Sequence, residues 1–336
     1  MYVIFFLYFC GAKVCGMTIA FTTSLPKEGF RRLEAYSNLS LKGNAIIVGK
    51  DPEWTEAEVL VSTFDYRVSR EMIEAMPNLK LIANFGAGFN NIDLDACRER
   101  GIRVTNTPQP VIEPTAELAF ALMIDVARRV SEFDRKVRAG QAVFGVMQNL
   151  SHSLYGKTLG ILGMGRIGQA LARRALASGM KVIYHNRKPI NGDALKALNG
   201  GNDEMVKYVD FQTLLQDSDF LSLNLPYTPE VHHIIGKPEL GMMKRTAYLI
   251  NTARGAHVDE AALVEALQNG IIAGAALDVY EHEPQISPEL LTLLNVVLSP
   301  HTGTGTWEGR IAMCENVCDN IIAFAENDIN KMNIVL

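Results

Sequence analysis

Three polar side chains in the second half of the sequence have the chemistry to act together on a carbonyl group. Each of them closely follows a short apolar run that is typical of a buried strand. They are Arg254 after the run 247–251, Glu283 after 273–277, and His301 after 296–299. Open α/β sheets bind their ligands at the carboxyl ends of the strands. We therefore expect the three side chains to meet at one edge of a sheet.

Reduction of a 2-oxo acid needs these three side-chain types. A guanidinium can hold a carboxylate with two hydrogen bonds and polarise the adjacent ketone. An imidazolium can protonate the developing alkoxide near neutral pH, and a carboxylate can orient that ring and favour its charged form. We predict Arg254, Glu283 and His301 as catalytic residues, with Arg254 also binding substrate. Taken singly, Arg254 could instead be a surface arginine, Glu283 a turn carboxylate and His301 a helix-capping residue.

A glycine-rich turn between two predicted strands indicates a dinucleotide site. The apolar run 158–162 precedes glycines in G-x-G-x-x-G spacing, a helix is predicted over 166–177, and a second strand over 181–184. This context distinguishes the fingerprint from an ordinary glycine-rich turn. The free N–H groups of the helix N-terminus suit a pyrophosphate. The predicted cofactor-binding residues here are Gly163, Gly165, Arg166, Ile167 and Gly168.

The end of the second strand favours NADP(H) over NAD(H). An NAD site usually has Asp or Glu there to bind the ribose 2′-hydroxyl, but this chain has His185 followed by Asn186, Arg187 and Lys188. A guanidinium can bind a 2′-phosphate through two charge-assisted hydrogen bonds. We predict that the last three residues contact the cofactor, with NAD(H) still possible. The alternative is that Arg187 and Lys188 are a solvated strand end.

Strand and helix patterns alternate along most of the chain, which predicts an α/β fold with doubly wound parallel sheets. Three prolines at 108, 110 and 114 indicate a linker. One long helix is predicted over 115–138; because it is apolar on more than one side, we expect it to form part of a homodimer interface. The other predicted strands are 18–21, 45–48, 59–62, 81–84, 102–105 and 220–224, and the other helices 69–76, 211–216, 237–243, 259–269 and 307–327.

Length and composition allow two cores and exclude several classes of partner. The chain has 336 residues, of which 48% are hydrophobic, and a net charge of -5 without long charged runs. This argues against nucleic-acid and membrane surfaces. Five cysteines without a C-x-x-C pair indicate neither a disulfide framework nor a metal site, and they suit the cytoplasm. Residues 1–16 are treated as an extra segment, because Met17 begins a regular strand pattern and is the expected initiator.

Four motifs in order resemble the D-isomer-specific 2-hydroxyacid dehydrogenase family. They are the glycine turn 163–168, Asn-Thr-Ala-Arg-Gly at 251–255, Asp-Val-Tyr-Glu-His-Glu-Pro at 278–284, and Ser-Pro-His at 299–301. The resemblance runs from about residue 18 to 330. It implies two Rossmann-like domains with a cleft between them, the outer one discontinuous. The implied substrate (catalytic) domain is 17–108 with 303–336, and the implied dinucleotide-binding domain is 109–302.

The resemblance also implies roles for further residues. Ala87 and Gly88 would offer backbone N–H groups to the substrate carboxylate, and Asp278 would lie near the nicotinamide. The remaining implied cofactor contacts are Thr115, Thr252 and Ala253. NADPH-linked glyoxylate and hydroxypyruvate reductases are the most similar kind, so we expect reduction of these acids to glycolate and D-glycerate.

Some positions depart from the family pattern and keep alternatives open. Asn90 stands where many relatives have Asp, and His257 stands at a usually apolar position, which we interpret as incidental. Residues 142–145 replace a tryptophan-bearing stretch, so a larger or aromatic 2-oxo acid is an alternative substrate, although Phe85 and Phe89 could narrow the pocket. A dinucleotide-sensing protein of corepressor type is the non-enzymatic alternative.

Overall fold

The computed structural model describes residues 13–14, 17–36, 46–200 and 205–336. Most of the extra segment predicted at 1–16 lies outside these residues. The described residues up to Val111 form one compact unit together with Thr304–Leu336, and Ile112–Gly303 form a second. They are called the outer unit and the nucleotide unit below. Residues 109–111 and 303 fall on the other side of the boundaries predicted from the sequence.

The strands and helices alternate along the chain. The strands are β1 (Lys13–Val14), β2 (Met17–Phe21), β3 (Ile46–Ile47), β4 (Val59–Thr63), β5 (Leu81–Phe85), β6 (Arg103–Thr105), β7 (Thr158–Leu162), β8 (Lys181–His185), β9 (Val206–Tyr208), β10 (Phe220–Leu223), β11 (Tyr248–Asn251), β12 (Gly274–Leu277) and β13 (Val296–Leu298). The α-helices are α1 (Arg31–Tyr36), α2 (Arg70–Glu74), α3 (Leu94–Glu99), α4 (Ile112–Arg128), α5 (Val130–Arg138), α6 (Arg166–Ala177), α7 (Gly192–Asn199), α8 (Phe211–Asp217), α9 (Lys237–Met242), α10 (Glu260–Gln268), α11 (Pro288–Thr292) and α12 (Trp307–Ala325). Short 3₁₀ turns cover Lys27–Phe30, Pro52–Glu56, Pro229–Val231, Gly255–His257 and Ile329–Lys331.

The nucleotide unit is built on a parallel sheet of seven strands in the order β13-β12-β11-β10-β7-β8-β9. The order reverses between β7 and β10, which is the switch point where doubly wound sheets bind ligands. Helices cover both faces, as the continuous apolar runs of these strands require. On one face α4 and α6 pack into a core that includes Met123, Leu171 and Ile250. On the other face α8, α9 and α10 pack around Leu214, Leu240 and Leu263. The predicted α/β doubly wound fold is confirmed.

The outer unit contains a second sheet, with β2, β4, β5 and β6 as parallel neighbours in that order. At the β2 edge, β3 pairs in parallel and β1 antiparallel. The core on this sheet includes Leu60, Ile73 and Ile82. None of the helices in the described residues is long and apolar enough to cross a membrane.

The prediction of one continuous helix over 115–138 is wrong. The structure has two helices, α4 and α5, and Arg129 between them adopts a left-handed backbone conformation with φ of 59°. The Asp125 carboxylate accepts a hydrogen bond from the Ser131 N–H at 2.8 Å, and the Glu132 carboxylate accepts two from the Arg129 guanidinium at 2.7 Å each. The Asp125 and Glu132 carboxylates thus provide hydrogen-bond acceptors where α4 ends and α5 begins. The chain can therefore break the helix there without Gly or Pro.

Candidate active site

His301 and Glu283 form a hydrogen-bonded pair beyond the ends of β13 and β12. The His301 Nδ1 atom lies 2.7 Å from the Glu283 Oε2 atom. The other carboxylate oxygen accepts the Tyr280 N–H at 2.9 Å. Because both oxygens of Glu283 are engaged, the carboxylate is fixed and in turn fixes the orientation of the imidazole ring.

The backbone at His301 is held in an uncommon conformation. Its φ is 53°, in the left-handed region that non-glycine residues seldom adopt. The His301 N–H donates to the Asp278 carbonyl at 2.8 Å. The buried Asp278 carboxylate accepts the N–H groups of Thr302 at 2.7 Å and Gly303 at 2.8 Å. The sequence predicted Asp278 as a cofactor contact but did not show that it holds the turn presenting His301.

Arg254 is near enough to Glu283 for their charges to interact. Burial lowers the pKa of Arg254, and the negative charge of Glu283 opposes this effect. For Glu283, burial raises the pKa, but the hydrogen bond and charge of His301, the Tyr280 amide and the Arg254 charge together leave it below its ordinary value. The structure therefore brings the three predicted catalytic residues together at the ends of neighbouring strands β11, β12 and β13.

Two residues that were not predicted shape the turn carrying Arg254. The Asn251 side chain accepts the Ala253 N–H at 3.0 Å and donates to the Arg254 carbonyl at 2.9 Å. At Gly255, an added Cβ would lie 1.9 Å from the Tyr280 carbonyl carbon and oxygen. Only glycine fits such a close backbone approach. The sequence shows an Asn directly after an apolar run, but it does not show which backbone groups that side chain holds.

The three glycines of the fingerprint play different roles. Gly163 has φ of 99°, and a Cβ there would lie 2.7 Å from the Asn224 backbone. A Cβ on Gly168 would lie 2.4 Å from the Gly163 carbonyl oxygen, whereas a Cβ on Gly165 would meet nothing within 4 Å. The protein's own packing therefore requires the first and third glycines. The space beside Gly165 is open to a bound group, as a dinucleotide site requires.

Two buried oxygen atoms at the carboxyl edge of the same sheet also fit a nucleotide ligand. Asn224 Oδ1 follows β10 and Thr252 Oγ1 follows β11, and neither has a hydrogen-bond partner among the residues that the structure describes. Leaving such atoms buried without a partner is costly. A polar ligand at this edge would satisfy them. Asn224 was not predicted from the sequence.

The other predicted cofactor residues lie around the same turn. Asn186 Oδ1 accepts the Met164 N–H at 2.7 Å and so joins the end of β8 to the glycine turn. Arg187 and Lys188 are exposed. The remaining predicted residues are Arg166 at the exposed start of α6, Ile167 packed against the core, Thr115 buried in the first turn of α4, and Ala253 beside Arg254.

A negative charge lies near Arg187. The pKa of Glu230 lies below its ordinary value, chiefly because of a hydrogen bond from Thr228, and the charge of Arg187 contributes. A 2′-phosphate bound at Arg187 would therefore bring its negative charge near the Glu230 carboxylate.

The predicted substrate loop belongs to the outer unit and follows β5. The Asn84 side chain donates to the carbonyls of Gly86 at 3.1 Å and Gly88 at 2.8 Å. The Asn106 side chain donates to the Ala87 carbonyl at 2.8 Å. Within the described part of the chain, the N–H groups of Ala87 and Gly88 donate no hydrogen bond. The loop is thus held through its carbonyls, and its amides remain able to bind an anion.

His232, His233 and Glu281 lie close enough to resemble a metal site. However, the two imidazole rings stack with centroids 4.0 Å apart and planes 20° apart, so their in-plane lone pairs do not converge on one point. His233 Nε2 instead pairs with Glu281 Oε1 at 2.6 Å. Glu281 also accepts the Glu260 N–H at 3.2 Å. The arrangement links two segments of the nucleotide unit.

Known proteins are similar to this chain in sequence and in fold. Residues 120–303 match the family model of the D-isomer specific 2-hydroxyacid dehydrogenase, NAD binding domain. The chain is 44% identical to a glyoxylate reductase of Thermococcus litoralis over 92% of this chain and 93% of that protein. The crystal structure of a glyoxylate reductase from Paecilomyes thermophila matches with a TM-score of 0.81 and 34% identity over 94% of this chain and 97% of that chain.

A second solved structure is described as an NADPH-dependent glyoxylate/hydroxypyruvate reductase from Sinorhizobium meliloti in complex with NADP and malonate. It matches with a TM-score of 0.78 and 30% identity over 91% of this chain and 93% of that chain. The chain therefore belongs to the D-isomer specific 2-hydroxyacid dehydrogenase family and is an NAD(P)-dependent oxidoreductase acting on 2-hydroxy acids.

Proposed function

We propose that the protein reduces glyoxylate and hydroxypyruvate to glycolate and D-glycerate with NADPH. The observation that carries this proposal is the His301–Glu283 pair at 2.7 Å with the charge of Arg254 beside it. This set supplies a proton donor, its orienting carboxylate and a carboxylate-binding cation. The reductases named above, at 44%, 34% and 30% identity, support the choice of these small acids.

In the proposed reaction, Arg254 binds the substrate carboxylate and polarises the ketone. The amides of Ala87 and Gly88 bind the same carboxylate. Because His301 Nδ1 is paired with Glu283, the proton passes from Nε2 to the ketone oxygen as the alkoxide develops, and the charge of Glu283 stabilises the imidazolium until then. When bound, the reduced nicotinamide supplies the hydride that the carbonyl carbon accepts.

The catalytic role is tested by His301→Ala with glyoxylate and hydroxypyruvate. We expect kcat to fall by a factor of about 10² to 10⁴, since general acid catalysis contributes on that scale. The dissociation constant of NADPH should change little, because the proton is needed only in the transition state. Steady-state kinetics and a fluorescence titration of NADPH measure the two effects. Retention of most of the wild-type kcat would refute the assignment.

The NADPH preference rests on the exposed Arg187 after β8 and the lack of a carboxylate at 185–188. The solved relative named with NADP supports it. We expect kcat/KM for NADPH to exceed that for NADH, and Arg187→Asp to reverse or abolish the preference. Glu230→Gln should strengthen the preference, because it removes a negative charge that would repel a 2′-phosphate bound at Arg187. Equal wild-type efficiency with both cofactors would contradict this proposal.

We also propose that the protein works as a homodimer in the cytoplasm. Large apolar side chains are exposed along residues 143–150 of the nucleotide unit, which is unusual for a surface that meets only water. Cys97, Cys314 and Cys318 are buried free thiols, which suits a reducing compartment.

A further inference from the structure

Arg310 is a partly buried cation of the outer unit. It lies in the first turns of α12, and its guanidinium stands 5.9 Å from the ring centroid of Phe64 and 5.6 Å from that of Phe85. Within the residues that the structure describes, it forms no salt bridge and no side-chain hydrogen bond. Burial lowers the pKa of Arg310, and the charge of Asp65 only partly opposes this effect. Its donors are available to a ligand.

The position of Arg310 in the outer unit is one where parallel sheets bind ligands. Phe85 is the last residue of β5, and Phe64 directly follows the residue of β4 that pairs with it. Both rings therefore mark the carboxyl edge of that sheet. The loop with the free amides of Ala87 and Gly88 leaves the same edge, directly after Phe85. Arg310 and this proposed substrate loop are thus built around one strand end.

The placement of Arg310 is unfavourable for folding alone. A positive charge near a helix N-terminus opposes the helix dipole, and partial burial of a cation without a carboxylate partner costs free energy. The cation–π contacts with the two phenylalanine rings offset only part of that free energy. A residue that violates several local preferences at a ligand-binding edge is a candidate for function rather than for stability.

We propose that Arg310 determines substrate specificity by binding an oxygen atom of the substituent on carbon 3 of the 2-oxo acid. This inference rests on the proposed function, in which Arg254 and the loop amides already bind the carboxylate. A guanidinium donates hydrogen bonds and accepts none, so its partner on the substrate is an acceptor. A hydroxyl or a carboxylate on carbon 3 has that chemistry. Glyoxylate has no carbon 3, and carbon 3 of pyruvate is an unsubstituted methyl group.

The test compares four 2-oxo acids with the full-length wild type and its variants. In the wild type, kcat/KM for hydroxypyruvate should exceed that for pyruvate at least tenfold, since a site built to bind a substrate hydroxyl rejects the analogue without it. In Arg310→Met this ratio should fall to about one to two, because only kcat/KM for hydroxypyruvate decreases. The kcat/KM values for glyoxylate and pyruvate should stay within about threefold of wild type. Arg310→Lys keeps the charge without the planar fork and should give an intermediate ratio.

Oxaloacetate identifies the preferred acceptor. If kcat/KM for oxaloacetate exceeds that for hydroxypyruvate in the wild type and falls the most in Arg310→Met, the acceptor is a carboxylate. If kcat/KM for hydroxypyruvate is the higher one and falls the most, the acceptor is a hydroxyl. Arg98→Met is the matched control, because Arg98 is an exposed arginine of the same unit that pairs with Asp95, and it should leave every ratio unchanged.

Several results would overturn the inference. A wild-type ratio near one between kcat/KM for hydroxypyruvate and kcat/KM for pyruvate would overturn it without any variant. An equal loss for all substrates in Arg310→Met would assign Arg310 to the shared carboxylate or to structure, and an unchanged ratio would exclude it from recognition. In these cases wild-type glyoxylate reduction persists, so the proposed function survives. If the wild type reduced none of the four acids, the proposed function would fail and this inference with it.

Discussion

Several side chains at the candidate site form hydrogen bonds that fix the conformation of neighbouring residues. Asp278 shows this most clearly, because its buried carboxylate accepts the N–H groups of Thr302 and Gly303 and its carbonyl accepts that of His301. These bonds maintain a left-handed conformation at His301 that costs free energy for a residue with a Cβ. The conformation that presents the His301 imidazole therefore lowers the stability of the fold, and Asp278 is a positioning residue for this imidazole.

His257 is the residue at which the sequence interpretation was least complete. From the sequence, His257 was interpreted as incidental, but its side chain is fully buried. Neither ring nitrogen has a partner with ordinary hydrogen-bond geometry among the described residues. Burial lowers the pKa of His257 to about 4, and the charge of Arg254 acts in the same direction. The imidazole is thus kept neutral in the folded protein.

We predict that His257 makes the protein sensitive to acid. Its pKa in the folded state, about 4, lies below the ordinary value of 6.5, so between these values the unfolded chain binds a proton that the folded chain does not. Stability should then fall as the pH is lowered through that window, by about 2 kcal/mol between pH 7 and pH 5 from this residue. His257→Leu should remove this part of the acid sensitivity. Urea denaturation at the two pH values measures it.

The control for this prediction is His152→Leu, since His152 is an exposed histidine of the same unit. It should leave the difference in free energy of unfolding between pH 7 and pH 5 as in the wild type. If His257→Leu showed the same difference as the wild type, the buried imidazole would not be the source of the acid sensitivity.

At the scale of elements, the turn between β7 and α6 separates residues needed for folding from residues needed for binding. A Cβ on Gly168 would lie 2.4 Å from a backbone oxygen, while a Cβ on Gly165 would meet open space. We predict that Gly168→Ala lowers the melting temperature of the cofactor-free protein, because neither backbone segment can yield. Gly165→Ala should leave that temperature within about one degree, because surface changes that touch nothing have small effects.

Gly165→Ala, which should barely change the melting temperature, should instead change the affinity for NADPH. Gly165→Ala should raise the dissociation constant of NADPH at least tenfold, because its methyl group occupies the space that a pyrophosphate would approach. Calorimetric titration measures this constant, and Gly241→Ala, also in open space but on α9, is the control. Unchanged NADPH affinity in Gly165→Ala would show that the open space beside this glycine is not used by the cofactor.

Elements with a clear apolar pattern could be predicted from the sequence, and some edge elements and side-chain-stabilised breaks could not. Helix α6 was predicted with the bounds that the structure shows, because its apolar period and the flanking glycines agree. Strand β9 was missed because it has three residues at the sheet edge, and only Val206 of these is buried. The break at Arg129 was missed because Asp125 and Glu132 stabilise it, and no residue there is a typical helix terminator.

At the scale of the whole molecule, the ordered motifs identified the sheet of the nucleotide unit and the residues at its carboxyl edge. Arg254, Glu283 and His301 were predictable because each follows a recognisable strand, and the strand order brings those ends together. Asn251, Asn224 and the turn-holding role of Asp278 were not, since they depend on which backbone groups a turn leaves unsatisfied. Such information appears only in three dimensions.

The surface of the nucleotide unit supports one prediction about assembly. Phe144 is 91% exposed and Val146 is 95% exposed, and Met147 and Leu150 are exposed beside them in the chain. Apolar side chains grouped in this way usually pack against another molecule, and a second copy of the same chain is the partner that is always present. We predict a homodimer of twice the chain mass of 37.0 kDa, measured by light scattering coupled to size exclusion.

The variant that should break the dimer is Phe144→Asp combined with Val146→Asp. Two charges placed in an apolar contact would have to be buried without partners, which costs several kcal/mol, so the protein should elute with the mass of one chain. Leu291→Asp is the control, because Leu291 is 62% exposed on α11 of the same unit and should leave the assembly intact. A wild-type protein with the mass of a single chain at micromolar concentration would refute the dimer. An unchanged dimer in the double variant would place the interface on a surface away from residues 144–146.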